Sequence, residues 1–230
     1  MVKLLFFSAM LAFLLTLQAP RAQALDVTPA VYVQALVGAA QFSRDDLSFQ
    51  RSVGGDTSTA LENDLSNMPY LGLAVQVPFG GGNISWGLDS SFLYGWRSRN
   101  THVVASNNQL AISVDTELWL ADLAAGLYIA HSSRHWRAYV AAGPAVVFGE
   151  YDEKNNLSAD SPEQTLAGNS DSEFGVGAYI RAGIEYRLRD QGFVGFGVRE
   201  LKTNIEFDSA PGASSGLSGV QGFLSFSRFY

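Results

Sequence analysis

His131 and Ser133 are the nearest approach in this chain to a nucleophile beside its base. An imidazole close to a serine can take the hydroxyl proton, provided an acid orients the ring. Arg134 follows at once, and the segment His131-Ser132-Ser133-Arg134-His135 reads more simply as a polar turn with a basic rim. The third histidine, His102, is remote in sequence. Three scattered histidines and no cysteine offer no metal site of familiar spacing, and no thiolate nucleophile or disulfide. Asp152-Glu153 and Asp160 with Glu163 do not match a calcium-loop spacing. Gly80-Gly81-Gly82 precedes no helix, so it is no phosphate cradle. We expect no catalytic residue, no metal and no cofactor.

A second set of polar groups is more telling. Asp89, Asp122, Arg137, Arg181, Glu185, Arg187 and Arg199 are isolated charges inside otherwise apolar or glycine-rich stretches. Such charges must pair or hydrogen-bond if they are buried. What buries them follows from the periodicity. Over 173–188 the even positions Phe174, Val176, Ala178, Ile180, Ala182, Ile184, Tyr186 and Leu188 are all apolar or aromatic. The odd positions hold Glu173, Tyr179, Arg181, Glu185, Arg187 and three glycines. A period of two belongs to a strand with one oily and one polar face. The pattern recurs over 31–39, 71–77, 84–96, 136–148, 192–202 and 220–227. It is weakest over 112–130, where Leu118 and Leu120 oppose the face of Trp119, Ala121 and Leu123. A bulge near 118–121 would restore the phase there.

These segments make eight strands. Short links at 80–82, 131–135 and 189–191 alternate with long ones at roughly 43–68, 98–109, 150–172 and 208–216. Strict alternation of link length implies antiparallel neighbours with every long link at one end. No linker divides the chain, so one domain is expected. Ahead of it, Lys3 precedes an uncharged run from Leu4 to Leu17, then Gln18-Ala19-Pro20-Arg21-Ala22-Gln23-Ala24. This is the layout of a secretory signal over 1–24, leaving 25–230 as the mature domain. The run is short for a spanning helix, which needs about 20 apolar residues. Its removal takes Lys3 and Arg21, and so makes a formal charge of −7 more negative still. A nucleic-acid binder would normally be basic, so that class is not expected.

The oily faces carry aromatics at both ends. Trp86, Trp136, Tyr186 and Tyr230 lie near the short links, and Trp96 and Trp119 near the long ones. Two aromatic girdles about 25 Å apart mark the interfaces of a membrane barrel. The opposite faces mix glycine and tyrosine with lone charges, as a narrow lumen requires. The alternation in Arg137-Ala138-Tyr139-Val140-Ala141-Ala142-Gly143-Pro144 and in Ala182-Gly183-Ile184-Glu185-Tyr186-Arg187-Leu188, with the aromatic last strand, resembles the small eight-stranded outer-membrane barrels of Gram-negative bacteria, the OmpA, OmpX and opacity-protein type. The resemblance spans the mature chain. It departs at the end, where Arg228 and Tyr230 stand in place of the usual hydrophobic residue and phenylalanine. It implies an all-β fold, an eight-stranded antiparallel up-and-down transmembrane β-barrel in the outer membrane. It also implies contact with outer-membrane lipids, lipopolysaccharide and the barrel-assembly machinery. His131 and Ser133 are similar to the His-x-Ser-Asn motif of the lipid A deacylase barrels, but Arg134 replaces the asparagine.

Eight strands enclose little more than their own side chains. The seven interior charges are therefore expected to plug the tube, with a narrow ion or solute path as the alternative. Link 43–68 holds five acids and two arginines, and 150–173 seven acids and one lysine. An even strand count puts both termini in the periplasm and these links outside, where acidic segments stay solvated and can bridge lipopolysaccharide phosphates through divalent cations. The expected function is a structural or adhesion-like surface role of a monomer, through an extracellular ligand. A pore and a lipid A-modifying enzyme are the alternatives.

Overall fold

A computed structural model describes residues 31–43, 48–52, 60–80, 82–104, 111–158, 165–188, 192–207 and 216–230. The segment 1–24, the link 189–191 and Glu163 fall outside the described residues. Ten strands are present: β1 (Tyr32–Phe42), β2 (Ser48–Ser52), β3 (Ala60–Asp64), β4 (Asn67–Pro78), β5 (Ile84–Val104), β6 (Ala111–Ser132), β7 (Trp136–Ser158), β8 (Thr165–Arg187), β9 (Gly192–Thr203) and β10 (Ser218–Phe229). Eight close into a barrel in the order β1-β10-β9-β8-β7-β6-β5-β4, every pair antiparallel. Closure leaves no unpaired edge within the ring, which is what a sheet in hydrocarbon needs.

The strand parity decides the rest. Even residues of β5, β7, β8 and β10 and odd residues of β1, β4 and β6 point outward. Along that surface Leu71, Leu88, Leu123, Leu127, Val140, Ile180, Phe196, Val198 and Leu224 are all exposed. So large an exposed apolar band is far beyond the patches a soluble monomer carries. It is bounded by aromatics: Trp86 and Trp96 stand on the same face of β5, ten residues apart. That is roughly 33 Å along the strand, or about 25 Å along the barrel axis at the usual ~40° tilt. The outer face is therefore fitted to acyl chains.

The structure corrects three expectations. Leu118 and Leu120 do not mark a bulge: the β5–β6 register runs unbroken from Ile84↔His131 to Val104↔Ala111. They face inward and are buried with Leu93, Val147, Leu201, Phe42 and Met68. The half of the interior towards the long links is thus an apolar core, not a damp lumen. Second, the stretches expected as links at 98–109 and 150–172 are largely strand. β5 to β8 run 21, 22, 23 and 23 residues, about twice the 9–11 that cross a bilayer. They rise beyond the closed ring as a four-stranded wall, with a register shift between Glu153 and Asn155. Third, the link 43–68 contains the β2–β3 hairpin, paired from Ser48↔Asp64 to Ser52↔Ala60.

The mouth at this end is filled from the side. After β9 the chain turns inward, donating Asn204 N–H to the Val176 carbonyl at 3.1 Å and accepting the Val176 amide on Asn204 Oδ1 at 2.7 Å. Ile205, Phe207, Leu217 and Leu65 are buried there. Gly149 leaves the space that Phe207 occupies: a β-carbon at that position would sit 2.6 Å from the ring.

Candidate functional site

The other half of the interior, towards the short links, is polar. Asp89 on β5, Asp122 on β6, Arg137 on β7, Arg181 and Glu185 on β8, and Arg199 on β9 share the inward parity and are buried. Register brings some of them together directly. Arg137 lies opposite Glu185 and donates Nη1 to Oε2 at 3.0 Å. Glu185 also accepts from Gln34 at 2.8 Å, from Ser225 at 3.2 Å and from Ser227. The second Arg137 nitrogen reaches Gln76, whose amide donates to Asp89 at 2.8 Å.

Other pairs span the tube. Arg181 and Arg199 are direct cross-strand neighbours, an arrangement that costs stability for like charges. Each is neutralised by an acid from the far wall. Arg181 binds Asp89, which also takes the Tyr179 hydroxyl at 2.7 Å. Arg199 grips Asp122 with both terminal nitrogens, at 2.9 and 2.7 Å, and donates to Gln221 at 2.7 Å. The Arg199 guanidinium also lies 5.1 Å from the Tyr179 ring centre, and Arg181 and Arg137 flank Tyr139 at 5.3 and 5.0 Å. Three cations and three carboxylates thus form one charge-balanced strut system. Tyr139 fits because its partner across the ladder is Gly183, where a β-carbon would stand 2.7 Å from the ring.

Arg187 does not join them. It has the inward parity, but it ends β8, is exposed, and covers the Phe193 and Phe229 rings at 5.9 and 5.4 Å instead. Gln34, Gln76, Gln221, Ser225 and Ser227 complete the network and were not singled out from sequence. Their inward parity was the available signal, but they carry no charge to draw attention.

On the outer face Trp86, Trp96, Trp136, Tyr186 and Tyr230 are exposed. Trp86 meets Phe79 edge-on at 5.1 Å, and Arg228 lies over Tyr230 at 5.4 Å. Trp96 donates its indole N–H to Glu117 at 2.8 Å. Trp119 also points outward, yet it is covered by Tyr94 and Phe148 at 6.1 and 5.2 Å and donates to Glu150 at 2.8 Å. The outer ends of the long-link girdle are thus tied to carboxylates, as befits a boundary between oil and water. His131 stacks against Trp136 at 5.2 Å, and the Ser133 amide donates to the Trp136 carbonyl at 2.8 Å. Among the described residues no carboxylate orients the His131 ring, and none form a metal-binding cluster of His, Asp and Glu.

The solved structures similar to this chain include Ail, the attachment invasion locus protein of Yersinia pestis, at 15% identity and TM-score 0.43, covering 88% of this chain and 99% of that one. They also include Neisserial surface protein A, at 11% identity and TM-score 0.44, covering 87% and 97%. A third is the N-terminal β-barrel domain of Pseudomonas aeruginosa OprF, at 13% identity and TM-score 0.34, covering 87% and 98%. No curated protein matches the sequence. The family model described as outer membrane protein beta-barrel domain matches residues 9–220. With the closed ring, the apolar exterior and the girdles, this match makes the chain a member of the outer membrane protein β-barrel domain family, a barrel of the Gram-negative outer membrane.

Proposed function

We propose that this barrel is a closed, monomeric scaffold that holds the β5–β8 wall above the outer membrane as a contact surface for a basic partner. The carrying observation is the wall itself: four strands about twice the spanning length, raised on a barrel whose bore is filled. On the wall's outward face Glu117 stands directly across from Asp152, and Glu150 lies across from Trp119. Asp115 is offset by Lys154 opposite it. Adjacent like charges cost a sheet stability, and a cation bound across them would relieve that repulsion. A polyanion would be repelled by this face, and a cationic protein segment attracted.

With an even number of barrel strands both termini fall at one end, which supports a periplasmic short-link end and an outward wall. Residues 1–24 serve as the export signal, and intact-mass measurement of the membrane protein should find Leu25 first. The struts and the apolar core above them favour a closed bore over a pore, and among the described residues no carboxylate orients the His131 ring as an activated Ser133 would need.

The test is binding by the barrel in lipid nanodiscs to polylysine and to heparin. Wild type should bind polylysine saturably, more weakly at high salt, and ignore heparin. The Glu117→Gln, Glu150→Gln, Asp152→Asn variant should lose most of the polylysine binding. Binding unchanged by these substitutions would overturn the proposal.

A further inference from the structure

We propose that the short-link end carries a site for one anionic glycerophospholipid of the adjoining leaflet, on the outer surface between β5, β6 and β7. The inference rests on the membrane reading of the barrel but not on the function of the wall.

A groove of about 290 Å³ lies on this surface, between Ile84, Ile129 and Val140, with the small Ala138 at its floor and His131 at its rim. The three branched side chains are exposed, and a groove so lined accepts a length of acyl chain. Trp86 flanks the groove from the next outward position of β5, and Trp136 packs on His131. Both indoles are at the depth where headgroups begin.

The polar end of the groove has one sign. His131 lines the groove, and Arg134 and His135 follow it in the same short link and are exposed. No Asp or Glu occurs from Phe79 to Leu88 or from Ile129 to Val140. The acids nearest in the strands, Asp89 and Glu185, point inward and are held by Arg181 and Arg137. Arg137 likewise points inward. A phosphate at the end of a chain lying in the groove would therefore face a short link that carries one arginine and two histidines and, among the described residues, no carboxylate. Elsewhere on this rim Arg187 is spread over Phe193 and Phe229. An apolar groove and the arginine of the adjoining short link coincide at the β5–β7 position, which selects an anionic lipid over a zwitterionic one.

The experiment is native mass spectrometry of the folded barrel in detergent with added phosphatidylglycerol, phosphatidylcholine or lipid A. One phosphatidylglycerol should be retained about fivefold more than phosphatidylcholine, as one surface cation against an anionic headgroup provides. The His131→Gln, Arg134→Gln, His135→Gln variant should retain the two lipids equally. Ala138→Trp, which fills the groove from the lipid side, should release both by about fivefold. Equal retention by wild type, a preference that survives the triple substitution, insensitivity to Ala138→Trp, or displacement of phosphatidylglycerol by lipid A would each overturn the site. Unheated gel electrophoresis of the same samples separates the two levels of failure. A compact heat-sensitive band without lipid preference removes only this site, and its absence in wild type removes the membrane barrel as well.

Discussion

Replacing Asp89 by leucine probes the strut system at a carboxylate that joins three strands across the tube. Asp89 accepts from Gln76, Tyr179 and Arg181, and the Arg181 side chain has no solvent exposure. Removing the carboxylate leaves a buried guanidinium unpaired, which costs about 3–5 kcal/mol. It also strands the Gln76 and Tyr179 donors, at roughly 1–3 kcal/mol each where no other acceptor is reached. Arg181→Met alone leaves Asp89 with its two neutral donors, and should cost less, about 2–4 kcal/mol. The double variant removes both charges and refills the space with apolar atoms. Its cost should fall well below the sum of the singles, with a coupling of roughly 2–3 kcal/mol. Urea unfolding in lipid vesicles, followed by tryptophan fluorescence, measures all four corners of the cycle. Additivity within about 0.5 kcal/mol would refute the trans-lumen pair as a joint element and leave the two residues as independent fillers.

Ile180→Arg places a charge on the outer face midway along β8 and should cost roughly 2–4 kcal/mol in the same assay, whereas the rim change Arg134→Gln should cost less than about 0.5. Gly149→Val should drive Phe207 from its seat at a cost of about 1–3 kcal/mol, and limited proteolysis should then cut near 204–207 faster than in wild type. Planar-bilayer recording of the purified barrel should be silent. Conductance in wild type would show that the apolar half of the interior does not seal.

The eight barrel strands and their faces were legible because one side of each strand meets oil and the other the packed interior. Where that contrast ends, so does the signal. Residues 98–104 and 150–158 continue β5 and β7, yet their alternation is written with polar residues on both faces: Tyr151 and Glu153 turn inward and are buried while Glu150 and Asp152 turn outward, so no oily face marks the period of two. The β2–β3 hairpin was hidden for the same reason. The interior charges were legible as a set, since Asp89, Arg137, Arg181, Glu185 and Arg199 all have the inward parity. Their pairing was not: Asp89 with Arg181 and Asp122 with Arg199 join strands three apart around the ring, a relation fixed by stagger and tilt. Leu118 and Leu120 misled because two apolar faces on one strand resemble a phase slip, when the inward one belongs to a core.

The adjacency of Arg181 and Arg199 bears on how the molecule assembles. A lone β8–β9 hairpin would hold two guanidinium groups side by side without the acids that grip them in the closed ring, in the very medium least able to tolerate them. Asp89 and Asp122 arrive only when the opposite staves of the cylinder come round. Half-built sheets are therefore penalised and the finished ring rewarded, so electrostatic frustration between two neighbouring strands becomes a device for all-or-none closure.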